Sequence, residues 1–272
     1  MSAAATLPYW HVDAFADKPF TGNQAAVIPL PAWLPDDVLQ AIGEENNFAE
    51  TAFLVPDATG AADYELRWFT PACEIRLCGH ATLASGHVVF EALGGHRDAQ
   101  RVTFRTRKAG ILEMLRSASG CELALPAIPT EPGDWPEAVA LLGAKPQEVW
   151  RSPDRYGIYL FASEEEVRGL DPDLRGLGAL GDDQFICTAP GRQTDVVSRV
   201  FVPGGGVDED SFTGSAHAAL TPFWADRLGR DSFSAFQASA RGGYAQCRRE
   251  GPTAWLGGNC VTVVEGRFYL SG

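Results

Sequence analysis

One stretch of this chain occurs twice. Residues 69–94 run Phe69-Thr70-Pro71, then Leu77-Cys78-Gly79-His80-Ala81-Thr82-Leu83-Ala84, and close on Leu93-Gly94. Residues 201–229 run Phe201-Val202-Pro203, then Phe212-Thr213-Gly214-Ser215-Ala216-His217-Ala218-Ala219, and close on Leu228-Gly229. Gly79 and Gly214 lie 135 residues apart, and so do Gly94 and Gly229. The spacing repeats without a gap, and only the approach loop is longer in the second copy, by three residues.

Each copy reads as a strand ending in Phe-x-Pro, a loop, and a Gly-led run that is apolar on nearly every face. A helix apolar all round is wrapped on all sides. Gly94 and Gly229 fit left-handed C-terminal caps. Each helix opens on small residues whose N–H groups lack partners, and such an end attracts anions through its donors and its dipole. Two facing copies would form a cleft between two anion-binding helix ends.

At 272 residues the chain has room for two domains of roughly 130, and the repeat favours two. Thirty-five acidic against 22 basic residues leave a net charge of −13, which disfavours nucleic acid and anionic membrane surfaces as partners. A small anion remains admissible, because clustered N–H donors act locally. Met1 to Leu7 carry no basic leader region, and no stretch approaches the roughly 20 apolar residues of a membrane span. The six cysteines show neither CxxC nor framework spacing. A cytosolic protein with reduced thiols is the expectation.

In chain order, strands are expected at Tyr9–Phe15, Ala25–Ile28, Glu50–Val55 and Tyr64–Phe69, with a helix from Pro35 to about Glu45 ended by Asn46-Asn47. A hairpin of Arg101–Phe104 with Ile111–Leu115 follows the first Gly-led helix. Residues 127–134, rich in proline, read as a linker, which divides the chain into lobes 1–126 and 127–272, with the final strand free to return to the first lobe. The second lobe is expected to hold a short helix near Trp135–Leu142 and strands at Tyr156–Ala162, Phe185–Ala189, Asp195–Phe201, Phe233–Ala240, Ala254–Leu256 and Val261–Leu270. The fold class is α+β: two pseudo-symmetric lobes, each a curled, mostly antiparallel sheet around one central helix, stacked with the helix N-termini facing.

The stretches His11-Val12-Asp13-Ala14-Phe15, Pro19-Phe20-Thr21-Gly22-Asn23, Glu50-Thr51-Ala52-Phe53, Phe69-Thr70-Pro71-x-x-Glu74, Leu77-Cys78-Gly79-His80-Ala81-Thr82 and Glu209-Asp210-x-x-Thr213-Gly214-Ser215-Ala216 resemble the phenazine-biosynthesis PhzF-like family, within the diaminopimelate epimerase and proline racemase superfamily. Ser211 departs from the proline that many relatives carry, and the region after Trp224 is short. The resemblance implies a two-lobed fold and a cofactor-independent isomerisation of a small carboxylic acid by proton movement. It also implies that Glu50 transfers the proton and that His80, Asp210 and Ser215 line the site. Asn23, Cys78, Gly79, Thr213, Gly214 and Ala216 fall in the same motifs and are expected to contact substrate.

The residues themselves bear on these roles. Glu50 leads an otherwise apolar strand, and a partly desolvated carboxylate is suited to take and return a proton; an exposed strand-end carboxylate would read the same way. His80 at a helix start is expected to be neutral, since the dipole disfavours imidazolium. His80 with His87 makes a weak metal pair, and no metal or other cofactor is expected. A two-thiol racemase needs a cysteine before each glycine, but the counterpart of Cys78 is Thr213, whose hydroxyl cannot replace a thiol at neutral pH. Ser215 lacks a nucleophile elbow and reads as a carboxylate binder with the Gly214 and Ala216 N–H groups. Asp210 is expected to orient His80 or a substrate amine or hydroxyl, or simply to cap its loop. Gly204-Gly205-Gly206 lacks the lysine and spacing of a phosphate loop. Two rivals stay open: a racemase using Cys78, and a non-catalytic member that binds a small acid or a protein. The sequence names neither the substrate nor the oligomeric state, with a homodimer among the options.

Overall fold

The computed structural model describes residues 5–117 and 120–270, and the first four residues of the Met1–Leu7 stretch considered above lie outside them. The chain divides into two compact units, with breaks between Ala124 and Leu125 and between Leu256 and Gly257. The first unit begins with β1 (Ala5–Ala14), β2 (Asn23–Pro29), α1 (Asp36–Asn46), β3 (Glu50–Pro56), β4 (Tyr64–Phe69) and β5 (Glu74–Ile75). It continues with α2 (Gly79–Glu91), β6 (Arg101–Thr106), β7 (Ile111–Ser117) and the start of β8 (Gly120–Pro126). The second unit contains β9 (Glu131–Pro132), α3 (Pro136–Leu141), β10 (Glu148–Ser152), β11 (Tyr156–Leu160), α4 (Glu164–Arg168) and α5 (Leu174–Ala179). β12 (Gln184–Pro190), β13 (Val196–Phe201), α6 (Gly214–Leu228), β14 (Ser232–Gln237), β15 (Gly243–Glu250) and most of β16 (Thr253–Gly258) complete it, and β17 (Cys260–Leu270) belongs to the first unit.

The duplication is written in the strand pairings. From β1 the first unit pairs antiparallel with β2, parallel β2 to β3, antiparallel β3 to β4, parallel β4 to β6, and antiparallel β6 to β7. From β10 the second unit repeats that alternation through β11, β12, β13, β14 and β15. A parallel step needs a crossover. α1 and α2 supply the two crossovers in the first unit, while α4 with α5, and then α6, supply them in the second.

The central helices are wrapped as their composition requires. All but two residues of α2 are buried, and it packs against β1, β2, β3 and β17. Having no polar side to hide, its hydroxyls bond back to its own carbonyls, Thr82 Oγ1 donating to Cys78 O at 2.5 Å and Ser85 Oγ to Ala81 O at 2.7 Å. The outer face of the first sheet is covered by Leu39 and Ile42 of α1, packed on Phe53 and Phe69. In the second unit Val167 of α4 and Leu177 of α5 cover Tyr159, Phe185 and Phe201.

Several expectations change. Gly229 caps α6 in the left-handed region at φ 65°, but α2 ends on a right-handed Ala92, and both Ala92 and Leu93 return their N–H to Val88 O. Gly94 is therefore outside the helix and fulfils no capping need. Part of the proline-rich segment read as a linker, Glu131–Pro132, pairs with β10. β5, β8, β10, β15, α4 and α5 were not foreseen, the helices because they span only five and six residues and show no period. They are fixed at their starts instead, by Ser163 accepting from Glu166 N–H and Asp173 accepting from Gly176 N–H. Among the described residues no helix is long and apolar enough to cross a membrane.

Candidate active site

The first-unit site is assembled by three element starts. Asn23 opens β2, Glu50 opens β3, and Cys78 precedes α2, of which His80 is the second residue. Each start is held from behind. Gly22, at φ 64°, lies so close to β1 that a Cβ there would run into the Ala14 carbonyl oxygen. Asn47 takes the left-handed conformation that ends α1, and Asn46 donates to Thr51 Oγ1 at 2.9 Å beside Glu50. Arg67 is 3% exposed and donates from Nε and Nη2 to the two oxygens of Glu74, at 2.8 Å each, and from Nη1 to Asp36 at 2.9 Å. That fork anchors β5, from which the chain turns into α2.

Glu50 Oε2 lies 2.9 Å from His80 Nε2, and the two side chains are 14% and 5% exposed. Both atoms are buried, and apart from this ion-pair contact neither has a hydrogen-bond partner. A buried pair of this kind is exceptional, since polar atoms removed from water are nearly always satisfied. On the other ring nitrogen, Asn23 Nδ2 lies 3.2 Å from Nδ1 and Cys78 Sγ lies 3.5 Å from it. In the neutral ring an amide donating to Nδ1 would leave the proton on Nε2, facing Glu50, whereas the charged ring carries protons on both nitrogens.

The electrostatics correct one expectation. Burial opposes a charged His80 ring, but the adjacent Cys78 and Glu50 outweigh it, and the ring holds its proton well above the usual histidine range. Burial first, and Glu50 second, push the Cys78 thiol up to about 11. Cys78 is thus uncharged near neutrality, and the carboxylate is the partner that acts on the ring there. A charge 2.9 Å away prevails over the helix dipole, whose effect is equivalent to roughly half a charge.

Donor atoms of Glu50, Cys78 and His80 lie within 4.8 Å of one another, a set that could hold a metal ion. A ligating cysteine must be a thiolate, and the raised Cys78 weighs against that use. His87 takes no part: its Nε2 bonds Thr262 Oγ1 at 3.0 Å.

In the second unit the motif residues form a different set of bonds. Thr213 Oγ1 donates to Asp210 Oδ2 at 2.6 Å, Gln237 Nε2 donates to Asp210 O at 2.7 Å, and Gln237 Oε1 accepts from Thr213 N–H at 2.9 Å. These bonds tie Asp210 to the entry of α6. Gly214, Ser215 and Ala216 form the first turn of α6, and Gln184, which opens β12, donates to Ser215 Oγ at 3.1 Å. Gln184 and Gln237 carry no motif and were missed; applying the repeat offset to Glu50 would have pointed within one residue of Gln184. Gly204-Gly205-Gly206 is a turn, Pro203–Gly205 being 3-10 helical and Gly206 left-handed, while Gly242 (φ 68°) lies just before β15.

Comparison with known proteins agrees with this architecture. The model of the PhzC-PhzF family, phenazine biosynthesis-like proteins, matches residues 12–266. A Pseudomonas aeruginosa protein named an uncharacterized isomerase is 44% identical over 97% of this chain and 99% of its own. The crystal structure of a PhzF-family protein from Enterococcus faecalis superposes with a TM-score of 0.91 at 40% identity, covering 98% of this chain and 100% of that one. A hydroxyproline epimerase from Agrobacterium vitis shares the fold alone, with a TM-score of 0.58 at 13% identity over 97% and 93% of the two chains. The fold and these relatives define an isomerase with the two-unit architecture of epimerases and racemases. Within that class, the chain belongs to the phenazine biosynthesis-like, or PhzF, family.

Proposed function

We propose that the chain is a cofactor-independent isomerase that moves a proton on a small carboxylic acid, with Glu50 as the acid/base. The observation that carries this reading is the buried contact of Glu50 Oε2 with His80 Nε2 at 2.9 Å, in which neither atom has any other hydrogen-bond partner. A carboxylate held in this way has an oxygen free to accept a proton from carbon, and the imidazole beside it steadies the charge it carries beforehand. The first N–H groups of α2 have no helical acceptors, and they are proposed to take the substrate carboxylate, where negative charge grows as the adjacent carbon loses its proton. Glu50 then returns that proton to another carbon, or to the same one, so that bonds broken and formed balance without a redox partner.

His80 and Asn23 are positioning residues in this scheme. Cys78 is not its base, because a thiol held at about 11 is almost wholly protonated at pH 7. Thr213, which stands before Gly214 as Cys78 stands before Gly79, offers no base at the corresponding place.

The reading is tested by deuterium uptake from heavy water into a panel of small hydroxy-, amino- and unsaturated acids. Uptake is expected with the natural chain and with Cys78→Ala, and is expected to vanish with Glu50→Gln while binding, followed by thermal shift, persists. Loss with Cys78→Ala and retention with Glu50→Gln would replace the reading with a thiol racemase. Binding without uptake of any acid would leave a non-catalytic member.

A further inference from the structure

Glu50 Oε2 and His80 Nε2 are joined by a third buried side-chain atom of the first unit that lacks a hydrogen-bond partner among the described residues, the indole Nε1 of Trp68. Trp68 is 1% exposed. A buried tryptophan N–H usually finds an acceptor, so one left without any calls for a reason.

The fold brings Trp68 beside Glu50. β3 and β4 run antiparallel, so the end of β4 lies next to the start of β3, with Trp68 directly across from Ala52 and Phe69 across from Thr51. Phe53 and Phe69 pack on Leu39 and Ile42 of α1. Side chains alternate along a strand, so Glu50, Ala52 and Trp68 share the opposite face, the one that α2 covers. Glu50 and Trp68 are diagonal neighbours there, a relation that sets Cβ atoms roughly 7–8 Å apart.

The second unit, where Gln184 and Ser215 hold the places of Glu50 and His80, fills this position differently. Val200 precedes Phe201 as Trp68 precedes Phe69, and it pairs with Ile186, the third residue of β12, as Trp68 pairs with Ala52, the third of β3. Val200 and Ile186 are fully buried and purely apolar. The same place in the fold is thus packed without any donor, and the indole N–H belongs, like Glu50 and His80, to the first unit only.

We propose that Trp68 is a substrate-binding residue, its indole N–H donating to an oxygen that the acid carries in addition to its carboxylate. The proposal rests on the Glu50 reading above and narrows the substrate of that site. An indole nitrogen donates and cannot accept, so it pairs with a hydroxyl, carbonyl or second carboxylate oxygen and offers nothing to an ammonium group. Hydroxy and oxo acids are favoured over simple amino acids.

Nitrogen–proton correlation spectra of the natural chain test this, with butanoate and the three hydroxybutanoates as probes. The Trp68 indole resonance, one of seven, is assigned through its own side chain, so this measurement needs no variant. It is expected to move downfield with at least one hydroxybutanoate and to move less with butanoate. Trp68→Phe, checked for folding by circular dichroism, is expected to weaken that hydroxy acid roughly three- to tenfold and to leave butanoate affinity unchanged. Glu50→Gln is expected to keep the resonance shift while losing deuterium uptake, which separates this proposal from the proton-transfer reading. A Trp68 resonance that moves no further with any hydroxybutanoate than with butanoate, or a folded Trp68→Phe that weakens all four acids alike, overturns the proposal.

Discussion

Gln184 Nε2 donates to Ser215 Oγ at 3.1 Å, from the two positions that Glu50 and His80 occupy in the other unit. Glu50 and Gln184 are each the first residue of the strand after a parallel crossover, and His80 and Ser215 are each the second residue of the central helix. The pairing recurs in both units, with a titratable pair in the first and a neutral amide–hydroxyl pair in the second. An amide and a hydroxyl can hold a ligand but cannot exchange protons with carbon at neutral pH. The acid/base function is therefore expected in the first unit alone.

Glu50→Gln is accordingly expected to slow proton exchange roughly 10²- to 10⁴-fold, the usual worth of a positioned general base. Gln184→Leu, which removes the partner of Ser215, is expected to leave some exchange. Initial rates of deuterium uptake for both variants decide the point, and equal losses would contradict a one-sided site.

Asn23→Asp places a carboxylate beside His80 Nδ1, where the native amide lies at 3.2 Å. The His80 titration, followed by ¹⁵N imidazole shifts, is expected to move further upward, and a downward movement would refute the contact. The sign for stability follows from the raised native value. The His80 contribution is complete below the unfolded value of about 6.5 and is lost as pH rises through the folded value. Glu50→Gln removes the attracting charge and is expected to flatten that alkaline slope in denaturant unfolding.

His217 titrates the other way. It is fully buried in α6, its Nδ1 bonds Thr213 O at 2.8 Å, its ring stacks on Phe212, and burial lowers it from 6.5 to about 4. A buried ring that must stay neutral stabilises above the unfolded value and loses that contribution as pH falls through the folded one. At about 1.4 kcal/mol per pH unit the loss between pH 6.5 and 4 is ~3 kcal/mol. His217→Leu is expected to abolish this acid slope in urea midpoints, whatever its offset at pH 7.

Arg67→Met is expected to cost ~3 kcal/mol by urea unfolding, because it leaves the Glu74 carboxylate with its forked partner gone. Since that fork anchors the chain before α2, exchange activity is expected to fall more than the fraction unfolded explains.

Much of this was legible beforehand because the repeat carries position as well as type. The offset that joins Gly79 to Gly214 placed Thr213 opposite Cys78 before any coordinates, and the all-apolar runs announced two enclosed helices. The bond partners were less legible. Asn23 meets His80 from 57 positions away, and nothing local in either segment specifies that pairing. The contact of Asp210 with the Thr213 hydroxyl, three residues on, is local and equally unmarked by any motif. The ring charge of His80 was misjudged because the helix start is visible in sequence, whereas a strand end 2.9 Å away is not.

The return of β17 to the first unit sets an order of events during translation. β1 precedes Leu125–Leu256 in the chain, but its neighbour β17 is synthesised only after all of that segment. The middle of the chain can mature while the sheet that began first still waits for β17, so the unit housing Glu50 and His80 is completed only after the unit inserted within it.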